Sequence, residues 1–404
     1  MSIFDDLVGQ EAAVYELQRA ADAARAVNQR SAIDVTGQSS SSDVAAQAMS
    51  QAWLFTGPPG SGRSLAALSL AGALLCTGPT PGCGVCPQCI AVMERNHRDV
   101  TLVTTDHVTI SAEQVRQYVA SSYVAPTSGA WRIIIIEDAD RMLTRTTNVL
   151  LKAIEEPGAR TVWMLCTAAV ADVLPTIRSR CRNINLVTPQ AQQVADLLVK
   201  RDGVEPRAAL VAARAAQSHI GLARALATDP HAASIRSKTL NVLAKLKGVG
   251  DAALGAHLLA DTIAMRGDGV TRKEALDEDT QAIQAQRMAA FGLDENAKVP
   301  AAVRSQVKES AEAARRRQTR QERDVLDREM VYMLSFYRDV LVRQMGGRVE
   351  LINVDYEQAI DRIAAGSTTH DTLEKLDRIS QGRERLRANV PAQLVMESVL
   401  VQLR

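Results

Sequence analysis

Eight residues, Gly57-Pro58-Pro59-Gly60-Ser61-Gly62-Arg63-Ser64, follow the short apolar run Trp53-Leu54-Phe55 and precede a helical stretch from Leu65 to Leu75. Glycines in that spacing let consecutive backbone N–H groups turn inward at the start of a helix, which makes an anion cradle. A strand, such a loop and a helix are the context expected of a G-x-x-x-x-G-K-[ST] phosphate loop. The chain is therefore expected to hold a parallel α/β sheet with this loop at the carboxyl end of a strand; a glycine-rich turn in an unrelated α/β protein is the plainer alternative. The frame departs from the pattern at one place. Arg63 stands where lysine reaches the β- and γ-phosphates, and a planar, forked guanidinium is not interchangeable with a compact ammonium. The cradle is intact, but the exchange argues against hydrolysis.

Further apolar runs at Val100–Val103, Ile133–Ile136, Val162–Cys166 and Ile184–Val187 alternate with helical patterns, the signature of a parallel sheet. Ile133 to Ile136 is β-branched throughout, as a central strand covered on both faces requires. It ends in Glu137-Asp138-Ala139-Asp140. Carboxylates at the end of a central strand lie beside the phosphate loop, where they can hold Mg²⁺ or orient water. A solvated acidic turn is the alternative.

Four of the six cysteines, Cys76, Cys83, Cys86 and Cys89, form a C-x6-C-x2-C-x2-C run. Two-residue spacers let neighbouring thiolates converge, and four sulfurs without histidine suit a closed structural zinc site. An iron–sulfur run would carry its next cysteine where Met93 stands, so that reading and unmetalled thiols are the alternatives. Cys166 and Cys181 lie elsewhere and read as a core residue and a motif-associated one.

At 404 residues the chain has room for two or three domains. Lys+Arg 47 against Asp+Glu 46 leaves no strongly basic field, so any DNA contact is local. The start, Met1-Ser2-Ile3-Phe4-Asp5-Asp6, lacks the features of a signal peptide, and no apolar run is long enough to span a bilayer, which implies a cytoplasmic protein without a membrane partner. From Pro189 onward helical periodicity dominates. Residues 188–245, containing Gly221-Leu222-Ala223-Arg224-Ala225-Leu226, read as a compact helical unit, and 246–404 as a longer all-helical region. Within it the polar stretch between Arg266 and Arg323 reads as a mobile loop followed by a solvated helix, and Asp324–Gln344 and Pro391–Leu403 as amphipathic helices. Ser39–Ser42 is a serine-rich loop.

Several segments in this order carry a resemblance: Asp6-Leu7-Val8-Gly9-Gln10, the phosphate loop, the four-cysteine insert, Asn148-Val149-Leu150-Leu151-Lys152-Ala153-Ile154-Glu155-Glu156-Pro157, Ser179-Arg180-Cys181, and Asn389 through Glu397. The chain resembles the clamp-loader branch of the AAA+ ATPases, in an actinobacterial version, over nearly its whole length. The resemblance implies an α/β AAA+ core over 1–187 with a zinc module at about 76–97, a small helical lid over 188–245 and an all-α collar over 246–404. It further implies a pentameric loader in the DNA polymerase III holoenzyme of a bacterial replisome. Its other members would be ATPase (gamma/tau) and delta subunits, acting on a sliding clamp and primer-template DNA. Arg180 would then be an arginine finger acting in trans on Mg-ATP held by a neighbouring subunit; a surface salt bridge is the plain reading of that residue.

The same resemblance makes Val8 an adenine-side residue and assigns the loop residues Gly57, Gly60, Gly62, Arg63 and Ser64 to nucleotide. It puts Glu137 and Asp138 at the Mg²⁺-associated and catalytic acids, Thr167 at sensor 1 and Arg224 at sensor 2, although Arg224 also reads as an ordinary solvent-facing arginine. Family members usually carry aspartate then glutamate where this chain has Glu137-Asp138. Both exchanges move oxygens by about a bond length, and catalysis is sensitive to that. ATP or ADP would thus be held but not hydrolysed. Two rival readings are an active ATPase subunit of the same loader and a zinc-dependent DNA-binding module that inherited a dead nucleotide fold.

Overall fold

The computed structural model describes residues 2–33, 49–104, 110–264, 271–290, 301–388 and 390–404. The serine-rich stretch Ser39–Ser42, Arg266 and Asn389 lie outside the described residues. The chain forms two compact units, Met1–Ala223 and Arg224–Arg404.

In the first unit five parallel strands, β1 (Ala52–Thr56), β2 (Val100–Val103), β3 (Arg132–Ile136), β4 (Thr161–Thr167) and β5 (Arg182–Asn185), are ordered β2-β3-β4-β1-β5. Strand pleating sends successive side chains to opposite faces. Trp53, Phe55, Ile133, Ile135, Val162 and Met164 therefore share one core with helices α1 (Glu11–Ile33) and α2 (Arg63–Leu75). Leu54, Ile134, Ile136, Trp163 and Leu165 share another with Val115 of α4 (Ala112–Ser122) and Leu150, Ala153 and Ile154 of α5 (Thr144–Glu155). Both faces of the sheet are covered, which is why its strands read as unbroken apolar runs.

A short helix, α3 (Pro87–Met93), lies in the cysteine insert between α2 and β2. Beyond β4 come α6 (Pro175–Arg178), then, after β5, α7 (Ala191–Asp202) and α8 (Pro206–Ala215), which begin the all-helical half. Helix α9 (Ile220–Thr228) contains the boundary between the units.

Strand β5 ends at Asn185, two residues earlier than the apolar pattern Ile184–Val187 suggests. Leu186 still donates to Thr56 O at 2.7 Å, but the Gln10 side chain takes over at Val187, accepting from its N–H at 3.0 Å and donating to its carbonyl at 2.7 Å. A side-chain amide thus satisfies the backbone where a strand neighbour ends.

The second unit is built from α10 (Pro230–Lys245), α11 (Val249–Ala264), α12 (Arg272–Ala290), α13 (Ala301–Gln344), α14 (Glu357–Gly366), α15 (Thr369–Arg387) and α16 (Ala392–Gln402). The polar stretch contains more helix than expected: Asp277-Glu278-Asp279 lies inside α12, and Arg315-Arg316-Arg317 inside the 44-residue α13. Alanine, glutamate, lysine and arginine are strong helix formers, and Met288 and Ala314 give the stretch buried apolar anchors. Leu326, Met330, Met333, Phe336, Tyr337 and Val340 make the inner stripe of α13. Among the described residues no helix is long and apolar enough to cross a membrane.

Candidate nucleotide and metal sites

The phosphate loop stands at the carboxyl end of β1, and the ends of β4 and β3 follow beside it in the sheet, bringing Thr167 and Glu137-Asp138 to the same edge. Gly57, Gly60 and Gly62 have φ of 151°, 85° and 91°, in the range that glycine tolerates best. Gly62 is the N-cap of α2, whose first turn carries no acidic side chain, so its free amide groups face the loop. Ser61 Oγ and Arg63 Nη1 are buried without a hydrogen-bond partner among the described residues. A cradle of amides beside an unpartnered buried guanidinium nitrogen fits a phosphate group.

The N-terminal segment is knitted to this loop. A Cβ on Gly62 would sit 3.7 Å from Leu7 Cδ2, and Gln10 Nε2 donates to Ser61 O at 3.3 Å. Val8 lies half-exposed between those two anchors. Ser64 is half-buried in the first turn of α2.

Each carboxylate of the acidic pair has an arginine of this same chain beside it. Arg95 Nη2 lies 4.0 Å from Glu137 Oε1, and Arg141 Nε lies 3.5 Å from Asp138 Oδ2. Arg95 has φ 60° just beyond α3, so the end of the cysteine insert turns its side chain toward the sheet edge. Asp138 has φ 51°, a conformation aspartate adopts more readily than most residues. Buried Thr167 spends its hydroxyl on Ala169 O at 3.3 Å. Burial first, and then Glu137, raises the Cys166 thiol, while Arg63 opposes them, so these charges share one field at the end of β4. Arg224 lies in α9 as the first residue of the second unit.

His219 has no counterpart in the sequence reading. A Cβ on Gly60 would lie 2.4 Å from His219 Cγ, so the imidazole packs directly on the loop. Only the left-handed residues Gln217 (φ 50°) and Ser218 (φ 62°) before it mark the turn that delivers it, and neither residue type announces such a turn.

The four cysteine sulfurs all lie within 4.8 Å of one another, with Cys76 and Cys86 3.9 Å apart. A tetrahedral zinc with Zn–S bonds of about 2.3 Å sets its sulfurs about 3.8 Å apart, so the cluster can hold such a metal. Burial would raise the Cys86 thiol, but N–H donation from Cys89 and hydrogen bonds with Thr77 bring it down to about 5. Cys89, more deeply buried, is raised by that burial and by its cysteine neighbours. Arg25 of α1 clasps the loop from outside, donating to the carbonyls of Cys76, Gly78 and Pro79 at 3.2, 2.9 and 2.6 Å. Gly78 has no room for a side chain, since a Cβ would meet Cys83 Sγ at 2.6 Å. Cys181 packs at the edge of the α5 core, where burial lifts its thiol to about 12.

Arg180 follows α6. Its guanidinium pairs with Glu155 at 2.6 Å and donates to Thr176 O at 2.8 Å, and its side chain is 40% exposed.

The family profile described as DNA polymerase III, delta subunit matches residues 36–190. The one described as DNA polymerase III, delta subunit, C terminal matches residues 312–404, and together the two cover more than half of the chain. DNA polymerase III subunit delta' of Bacillus subtilis is 27% identical over 360 residues, 88% of this chain and 91% of the relative. Subunit gamma/tau from Mycobacterium bovis is 30% identical over 250 residues, which is 55% of this chain but only 39% of that longer protein. Among solved structures, a gamma-subunit-related protein of DNA polymerase III from Thermotoga maritima is 18% identical, with 88% of this chain and 95% of that chain aligned and a TM-score of 0.42. The glycine loop, the acidic strand end and the cysteine insert thus occur in a chain that belongs to the DNA polymerase III delta-prime family of clamp-loader subunits.

Proposed function

We propose that this clamp-loader subunit is a non-hydrolysing stator that lends Arg180 to the ATP site of a neighbouring subunit. The observation that carries the reading is the state of its own acids: Glu137 and Asp138 each face an internal arginine, Arg95 and Arg141. A carboxylate with a cation of its own chain beside it gains less from Mg²⁺, and Arg63 in place of lysine weakens the other half of the machinery. Holding is a separate matter from cleaving. Gly57, Gly60, Gly62, Arg63 and Ser64, flanked by Val8 and Thr167, fit the phosphates of ATP or ADP, and Arg224 is the candidate for a second-sensor contact. Bound nucleotide would supply a negative charge that keeps the loop ordered.

In this reading 1–187 is the AAA+ core, 188–245 a lid and 246–404 the collar through which the subunit joins a pentamer with gamma/tau and delta. Cys76, Cys83, Cys86 and Cys89 hold structural Zn²⁺ that ties down the insert over 76–97. The complex works in the cytoplasm, closing a sliding clamp on primer-template DNA. Arg180 would stabilise charge building on a phosphoryl group held next door.

The test uses the reconstituted loader. Arg180→Ala should leave assembly intact and lower DNA-stimulated ATP turnover on the order of a thousandfold. The isolated chain should show no turnover, and hydrolysis lost on Arg63→Ala would instead favour an active ATPase subunit.

A further inference from the structure

We propose that Glu155 is a positioning residue for Arg180, fixing the guanidinium so that one edge is presented outward before the neighbouring subunit's phosphate arrives. The inference rests on the reading of Arg180 as a finger acting in trans. Two nitrogens of the guanidinium are committed: Nε to Glu155 Oε1 at 2.6 Å, and Nη1 to Thr176 O at 2.8 Å and to Ser179 Oγ at 3.2 Å. Nη2 takes no hydrogen bond among the described residues.

Arginine presents its donors in a rigid planar fork, so anchoring one side of the plane aims the other. Thr176 and Ser179 belong to the finger's own segment, whereas Glu155 is the last residue of α5 and, among the described residues, alone ties the finger to a second element. The carboxyl end of α5 carries partial negative charge, which adds to the carboxylate in drawing the cation. The two side chains are 40% and 44% exposed, and a pair that open to water contributes little to stability. Its effect falls instead on where the cation points. Glu155 makes its closest approach at Nε, which leaves the Nη2 edge as the one offered to an incoming phosphate oxygen.

The experiment measures ATP turnover of the complete loader carrying Glu155→Ala, Glu155→Gln, Glu155→Asp, Arg180→Ala or Glu155→Ala with Arg180→Ala. Glu155→Ala and the isosteric Glu155→Gln should lower kcat about tenfold with KM for ATP nearly unchanged, since misaiming a transition-state group affects the chemical step. Glu155→Asp should recover part of the loss, and Glu155→Ala should have no further effect once Arg180 is alanine. Unchanged or raised kcat in both Glu155→Ala and Glu155→Gln, with Arg180→Ala still defective, overturns this proposal and leaves the finger standing. An Arg180→Ala loader with normal turnover overturns the finger reading itself. A Glu155→Ala defect that persists in the Arg180→Ala background also overturns the proposal, because Glu155 would then act elsewhere.

Discussion

Asp99 is wholly buried beside β2, yet it is charged. Burial alone would raise its carboxyl. The N–H groups of Thr127, Ser128 and Gly129, donating at 2.6 to 2.7 Å, with the Ser128 hydroxyl at 2.9 Å, outweigh that and hold it at about 2. Asp99→Ala should destabilise the first unit on the order of 3 kcal/mol, because the N–H groups of Thr127, Ser128 and Gly129 lose a shared charged acceptor; chemical denaturation of the variant checks it. A folded value below the unfolded one means that this contribution is present above roughly pH 4 and is lost as pH falls through about 2. At this scale the sequence was legible where residue type dictates geometry, as for the loop glycines and the clustered cysteines. It was silent where a partner arrives from a distant segment. Nothing near Glu137 announces Arg95, nothing near Gly60 announces His219, and nothing near Arg180 announces its ion pair with Glu155. Arg141, three residues from Asp138, could have been found from spacing alone.

Among the elements, the strands were easiest to read, since burial on both faces demands β-branched runs and β3 supplies Arg132-Ile133-Ile134-Ile135-Ile136. The end of β5 was illegible because a glutamine side chain from the N-terminal segment, not a local signal, terminates the pairing. The helices of the polar stretch were under-read because their few buried anchors are spread over many residues. The cysteine insert makes two predictions of its own. Cys83→Ser with Cys86→Ser should reduce bound zinc from about one per chain to none by metal analysis, without touching the glycine loop directly. Arg25→Ala should keep the metal but speed its removal by a chelator several-fold, because the three carbonyls of the loop would lose the side chain that clasps them from α1.

For the molecule as a whole, pH should act through the helical unit as well as the sheet. Glu329 of α13 is fully buried, both its oxygens lack hydrogen-bond partners among the described residues, and burial raises its carboxyl to about 8. The folded value lies above the unfolded one, so the contribution is full below roughly pH 4 and is lost as pH rises through about 8. Between those limits the second unit should weaken by up to about 1.4 kcal/mol per pH unit, a slope that Glu329→Gln should remove when melting is followed from pH 5 to 8.

Gln10 leads to a different kind of conclusion, about timing. Its amide bridges Ser61 and Val187, positions separated by most of the first unit's length. A nascent chain makes Gln10 and the glycine turn before the sheet is complete, but the other half of that brace leaves the ribosome only after all five strands have been made. Until then the turn has no anchor on its far side. Fragments ending before Val187 should therefore hold the strands without a finished cradle, and the subunit's assembly on the ribosome waits on Gln10 meeting a segment made much later.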